Sequence, residues 1–316
     1  MKSLLHAISI LHRMVLSVFA VLLGSSVGTN AQVLDSRPSS ASGTQVVILG
    51  TGTPQADPEN SGPAVAIVAG GTAYLVDCGP GVVRRAVAAE RKGIVALTPP
   101  NIHVVFITHL HSDHTLGYPD LIFSPWVLGR AEPLNVYGPH GLQSMTDSIE
   151  KAWEKDIDVR TNGLEQANRT GYKVLVHEIE RGIIYKDKNV TVTSFLVKHG
   201  SWEEAFGYRF ETADRTIVLS GDSAPTDAIA KACNRCDILL HEMYSEAAYS
   251  PPALKYFRSF HTSSVELAKE ATEAKSGLLV LYHQMYGADV TYDQLLREVK
   301  QHYSGNVVSA HDLDVY

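Results

Sequence analysis

The stretch THLHSDH at residues 108–114 follows directly on the apolar run HVVFI at 103–107. Three histidines and an aspartate therefore fall within six positions, 109–114, at the end of a segment that reads as a strand. Imidazoles and carboxylates are costly to bury beside a strand unless they hold a metal or one another. A chain that carries such a stretch needs a fold that collects loop residues at one edge of a sheet.

The rest of the sequence repeats the device. Strand-like runs occur at 45–49 (QVVIL), 64–68 (AVAIV), 73–77 (AYLVD), 192–197 (VTSFLV), 216–220 (TIVLS), 237–240 (DILL) and 278–282 (LLVLY). Ligand-type residues follow where most of them stop: Asp77, His199, Asp222, His241 with Glu242, and His283. Helical patterns alternate with the runs, at 150–155 (EKAWEK), 226–233 (TDAIAKAC) and 264–275 (SVELAKEATEAK), the last with a capping box from Ser263 to Glu266. Strands mixed with helices predict a layered α/β architecture. Between 145 and 190 the periodicity blurs, and an inserted helical and loop segment is expected there.

A single strand-end histidine would be explained by ordinary packing, but this many converging strand ends point to a metal site. His109, His111, Asp113, His114, His199, Asp222 and His283 exceed what one tetrahedral ion takes, which is about four ligands. Seven such groups suit two ions with a bridging carboxylate. Imidazole and carboxylate without thiolate fit Zn²⁺, with Mn²⁺ or Fe²⁺ as alternatives. A pair of ions about 3.5–4 Å apart generates hydroxide and clamps the attacked and leaving oxygens of an ester, which is hydrolytic chemistry.

The N-terminus reads as a leader. Lys2 and Arg13 precede the apolar run MVLSVFAVLL (14–23), and small residues lead to Ala31, the pattern of a secretory signal at 1–31. A flexible segment, 32–44, precedes a hydrolase domain at 45–316. The expected location is periplasmic or secreted, with no stable membrane association once the leader is removed. A net charge of −7 without a Lys/Arg block gives no electrostatic footprint for tight nucleic-acid binding. Three cysteines are too few for a disulfide scaffold. Cys78 reads as a buried small residue, and Cys233 with Cys236 as a local disulfide or an idle thiol pair. Sequons stand at Asn168 and Asn189. LGTGT at 49–53 lacks the third glycine of a dinucleotide loop, and Pro54 breaks the helix start.

The pattern H-x-H-x-D-H at 109–114, with a later His, Asp and His, resembles the metallo-β-lactamase superfamily. The stretches LGTGTP (49–54), VDCGPG (76–81), VKHGSWEEAFGYRFE (197–211), SGD (220–222), HEMYSE (241–246), FHTSS (260–264) and LYHQ (281–284) sharpen the likeness toward its ribonuclease Z branch, which also holds arylsulfatase-type hydrolases. The resemblance implies a four-layered αββα sandwich and two ions. One is held by His109, His111 and His199, the other by Asp113, His114 and His283, with Asp222 bridging. It further implies a catalytic group of Asp113, His241, Glu242 and His261, in which a carboxylate orients a histidine that protonates the leaving group. Asp77 would support the ligand loop by hydrogen bonding.

Two departures bear on the substrate. Gly79-Pro80-Gly81-Val82-Val83 stands where the family has a GEGTQ-type stretch, and only 23 positions separate His199 from Asp222, too few for the long tRNA-binding arm of many members. The expectation is therefore an exported dinuclear-zinc hydrolase of phosphodiester or sulfate esters in small molecules, with nucleic acid disfavoured and a homodimer left open. A lactonase or thioesterase shares the ligands. A non-catalytic exported metal-binding protein is the alternative from another class. A true β-lactamase is disfavoured by the extra carboxylate Asp222.

Overall fold

The computed structural model describes residues 43–249, 251–285 and 290–316; the expected signal and nearly all of the flexible segment lie outside them. β1 (Gln45–Gly50), β2 (Ala64–Ala69), β3 (Thr72–Val76), β4 (Val104–Phe106), β5 (Leu134–Gly138) and β6 (Val174–Glu178) form one sheet in that order. β7 (Gly182–Lys186), β8 (Val190–Leu196), β9 (Phe206–Thr212), β10 (Thr216–Leu219), β11 (Ile238–Tyr244), β12 (Leu278–Met285) and β13 (Val307–Ser309) form the second, also in sequence order. The strands from β3 to β6 run parallel, as do those from β10 to β13.

Side-chain alternation with period two builds the layers. On β1, Val47 and Leu49 face one apolar cluster while Val46 and Ile48 face another. The first cluster packs against α1 (Val82–Arg91), α3 (Tyr118–Val127) and the start of α4 (Leu142–Ala152), with the single turn α2 (Ser112–Thr115) between α1 and α3. The second fills the space between the sheets, joining Ile48, Ile67 and Phe106 to Phe206, Ile217 and Leu240. A third lies under α6 (Asp227–Cys233), α8 (Ser264–Ala274) and α9 (Tyr292–His302), the last two following α5 (Glu154–Asn162) and α7 (Pro251–Phe260) in chain order. Three apolar seams between four layers make the expected αββα sandwich.

Some local readings needed correction. The blurred stretch 145–190 holds two helices, but also β6 and β7, each the edge strand of its sheet. Edge strands need no continuous apolar face, and these mix half-buried with exposed positions and bury none fully. The pattern EKAWEK spans a helix junction: α4 ends at Ala152, α5 begins at Glu154, and Trp153 between them stacks on Phe123 at 5.5 Å. The capping box at α8 is present, with Ser263 and Glu266 satisfying each other's backbone N–H groups.

Cys233 and Cys236 are joined in a disulfide at the end of α6, and Cys78 is free and buried. Both sequon amides serve the fold. Asn168 donates to the Arg130 carbonyl and accepts from the Gly171 amide, while Asn189 donates to the Tyr74 hydroxyl.

The C-terminal tail closes on β1 through the backbone of Val46 and Tyr316. Within it the buried carboxylate of Asp312 accepts from the Thr51 amide and hydroxyl, both at 2.9 Å, and from the Ser61 amide at 2.9 Å, and it meets Arg85 Nε at 3.1 Å. The loop after β1 is thereby fixed from a position about 250 residues later, since Asp312 and Ser61 are 251 apart.

Candidate metal centre

Every strand end flagged in the sequence, except that of His241, delivers its side chain to one cleft at the sheet edges. Thr108 and His109 follow β4, while Asp113 and His114 ride on α2 with His111 at its cap. His199 follows β8, Asp222 follows β10, and His283 lies within β12. The turn before Asp222 requires glycine. Gly221 sits at φ +62°, and a Cβ there would meet the Phe206 carbonyl at 2.6 Å.

Two groups of ligand atoms result, His109, His111, His199 and Asp222 in one and Asp113, His114 and His283 in the other, with the atoms of each within 4.8 Å of one another. Asp222 reaches across both. Its oxygens stand 3.2 Å from His283 Nε2, 3.4 Å from His114 Nε2, 3.8 Å from His199 Nε2 and 4.0 Å from His109 Nε2. Asp113 Oδ2 lies 3.6 Å from His114 Nε2 and 3.8 Å from His283 Nε2.

The histidines are aimed by what holds their outer nitrogens. His283 Nδ1 donates to the Gly52 carbonyl at 2.7 Å and His199 Nδ1 to the Phe260 carbonyl at 2.8 Å. His114 Nδ1 donates to Asp77 Oδ2 at 2.9 Å. Thr108 Oγ1 donates to the same carboxylate at 2.9 Å, which leaves its lone pair to accept from His109 Nδ1 at 3.0 Å. In all four rings the proton is fixed on Nδ1, and the Nε2 lone pair turns inward.

His111 is the exception: its Nδ1 faces His109 Nε2 at 2.9 Å and His199 Nε2 at 3.1 Å. The Trp202 indole donates to its outer Nε2 at 2.8 Å. The neutral ring then carries its proton on Nδ1, so an ion bound there must displace it.

Whether a metal suits this cluster is answered by its orphaned atoms. Asp113 Oδ2, His114 Nε2, Asp222 Oδ1 and His283 Nε2 are buried without hydrogen-bond partners. Buried polar atoms are almost always satisfied. Four orphans converging among carboxylates and imidazoles fit divalent cations. Burial alone would raise the Asp222 carboxyl pKa, but His283 and His114 beside it hold it well below the usual range. Burial likewise opposes protonation of His283, yet Asp222 outweighs it and the ring is pushed up to about 9, so an ion held there would displace a proton from Nε2 to reach its lone pair.

Asp77 and His283 both adopt left-handed backbone, at φ +59° and +46°. Non-glycine residues rarely do so without support. At Asp77 the support is the ligand loop itself, since its carboxylate also accepts from the Thr108 amide at 2.8 Å. Asp77→Ala should therefore weaken metal binding about 10–100-fold, measured by competition with a chelating dye. Unchanged affinity would reduce Asp77 to a packing residue.

Glu242 and His261 complete the cleft. Glu242 Oε1 faces His261 Nδ1 at 3.3 Å and accepts from the amides of Ser223 and Thr262, at 3.1 and 3.2 Å. Burial would lower the His261 pKa, but the Glu242 carboxylate outweighs it and the ring stays above its ordinary value.

His241 does not belong with them, contrary to the sequence expectation. Neighbours on a strand point to opposite faces, and His241 projects toward α8, where its Nε2 meets Glu270 at 3.3 Å. Alternation along β11 forecasts this, given that Glu242 faces the cleft. Trp202, Thr108 and the carbonyls of Gly52 and Phe260 were not anticipated. Only Trp202 and Thr108 had a signal, as polar-tipped neighbours of ligand histidines.

Fold and site together define a metallo-β-lactamase-type scaffold, and comparison with known proteins agrees. The model of the beta-lactamase superfamily domain matches residues 72–284. Ribonuclease Z of Mycobacterium marinum (strain ATCC BAA-535 / M) is 31% identical over 245 residues, covering 76% of this chain and 85% of its own. Among solved structures, the metallo-beta-lactamase fold protein YhfI from Bacillus subtilis superposes with a TM-score of 0.66 at 20% identity, covering 87% of this chain and 99% of that one. Human tRNase Z, short form, gives 0.64 at 24%, covering 86% and 98%. This chain belongs to the metallo-β-lactamase superfamily, in its ribonuclease Z-like branch.

Proposed function

We propose that the protein is an exported hydrolase carrying two zinc ions, which cleaves phosphodiester or related sulfate ester bonds of small molecules. The observation that carries this reading is the convergence of seven imidazole and carboxylate groups whose inward atoms include four orphans. His109, His111 and His199 would hold one ion, Asp113, His114 and His283 the other, with Asp222 shared. Ions held there would supply a nucleophile from water at neutral pH and polarise the ester. His261, steadied by Glu242, would give the departing oxygen its proton.

The relatives' name, ribonuclease Z, speaks for a phosphodiester and also for RNA, which stands against the small-molecule reading. Supporting a small substrate, the 22 residues between His199 and Asp222 hold β9, β10 and the short segments that join them. The net charge of −7 also disfavours a polyanion. Export rests on residues 1–31 alone.

Metal analysis should find about two ions per chain, zinc foremost; active protein with one ion or none would rule out the dinuclear site. A panel of bis-p-nitrophenyl phosphate, p-nitrophenyl sulfate, a lactone, a β-lactam and a precursor tRNA should show the phosphate diester, or failing it the sulfate ester, turned over best. Preference for the tRNA would transfer the reading to RNA. Sequencing the mature protein should start near Gln32, and a retained 1–31 would argue against cleavage and export.

A further inference from the structure

We infer that an aromatic hollow beside His261 is the leaving-group subsite of this cleft, and that it accepts a flat, uncharged aryl alcohol. The inference rests on the proposed hydrolytic reading and names the substrate class within it.

Two hollows share the loop Thr53–Gln55. One, of 420 Å³, is bounded by Asp113 and the other, of 260 Å³, by His261. The smaller is walled by Pro54, Tyr249, Tyr256, Phe257 and Met285, and among the described residues no Asp, Glu, Lys or Arg lines it. Its aromatic rings are mutually ordered. Tyr249 and Phe257 lie 4.0 Å apart between centroids, and Tyr256 stacks on Phe260 at 4.5 Å. Phe257 stands 5.9 Å and Tyr256 6.3 Å from the His261 ring. Tyr256 is 51% exposed, so its outer face remains free for another ring.

The acid places the leaving group. His261 lines this hollow and not the larger one, so an oxygen protonated by His261 sits at its mouth and the attached group lies inside. A volume of 260 Å³ is below the ~300–1,000 Å³ typical of pockets for drug-sized ligands, which suits one ring system rather than a nucleotide chain. Among the described residues the wall offers no charge besides that of the His261 acid, which the departing oxygen takes up, so a further charge on the leaving group finds no partner there. In the reaction, an oxygen from water bonds to phosphorus and the bond to the aryl oxygen breaks. One hydrogen of water stays with the new phosphate monoester, and the other replaces the proton that His261 gives the aryl oxygen.

The test compares methyl phenyl phosphate with methyl hexafluoroisopropyl phosphate, whose leaving alcohols are of similar acidity, together with the corresponding sulfate and acetate esters. Phenyl should be favoured about tenfold or more in kcat/KM. Tyr256→Ser should erase that preference through KM, with metal content unchanged, and Tyr256→Phe should keep it. Calorimetry with phenylphosphonate and methylphosphonate should rank the phenyl compound tighter in wild type and not in Tyr256→Ser, a comparison that holds even if no ester is turned over. Equal treatment of aryl and alkyl partners, or a Tyr256→Ser loss shared by both, would overturn the subsite. Inert phosphates with the phenyl preference intact on sulfate or acetate would overturn the phosphodiester reading and leave the subsite standing.

Discussion

Asp222→Ala is expected to strip the protein of the two ions proposed for it and to lower activity on every ester by more than the ~10–100-fold set for a supporting residue such as Asp77. The reason is its reach. One carboxylate approaches four ligand histidines at 3.2 to 4.0 Å, and His261 Nδ1 at 3.9 Å. Its loss would leave the first group with histidines alone and both groups without a common anion. Metal content after dialysis, read alongside kcat/KM, provides the check. Asp222→Asn, which keeps shape but not charge, should fall with the alanine variant in metal content. Retention of both ions in either variant, or a loss no larger than that of Asp77→Ala, would mean that Asp222 does not bridge.

His261→Ala is expected to spare the metals and to discriminate among leaving groups. Its ring is held by Glu242 at 3.3 Å and lines the aromatic hollow. Esters of poor, high-pKa alcohols should lose about 10²–10⁴-fold in kcat, the usual span of acid–base assistance. Esters of p-nitrophenol, which leaves without a proton, should lose much less. Glu242→Gln should shift the same contrast in the same direction by a smaller factor. Equal losses for all leaving groups with the metals in place would make His261 a substrate-positioning residue, and loss of metal would make it a ligand.

The sequence was most legible where burial on both faces leaves continuous apolar runs. β1, β2, β11 and β12 are buried along nearly their whole length, and each lies over the run that announced it. β6 and β7 are half-exposed edges, and β13 is a three-residue strand, so their patterns fall within the noise of loops. β9 carries no continuous apolar run, because Gly207 and Arg209 alternate with Phe206, Tyr208 and Phe210, and its period-two pattern lies inside the stretch VKHGSWEEAFGYRFE. In the centre, side-chain chemistry marked the residues that converge, whereas two of their anchors are backbone carbonyls, at Gly52 and Phe260, which no residue identity announces. His241 shows the opposite failure. Its type and its motif neighbour pointed to the cleft, but the pleat of β11 decided otherwise.

The grip of Asp312 on the loop that offers the Gly52 carbonyl to His283 also governs when the centre can mature. His283 is separated from its acceptor by 231 residues and Asp312 from Thr51 by 261, so a growing chain can complete neither contact until late in its synthesis. Closures over such distances come after local structure has formed, because the loop entropy must be met first. Ion loading should therefore be a finishing step, performed on a nearly assembled sandwich rather than on a nascent one. A chain arrested before Leu278 would still carry His109, His111, His199 and Asp222, yet it would lack a ligand of the second group. Ion stoichiometry in the cell would then report on the quality of assembly, with half-loaded molecules marking chains whose late segments never docked.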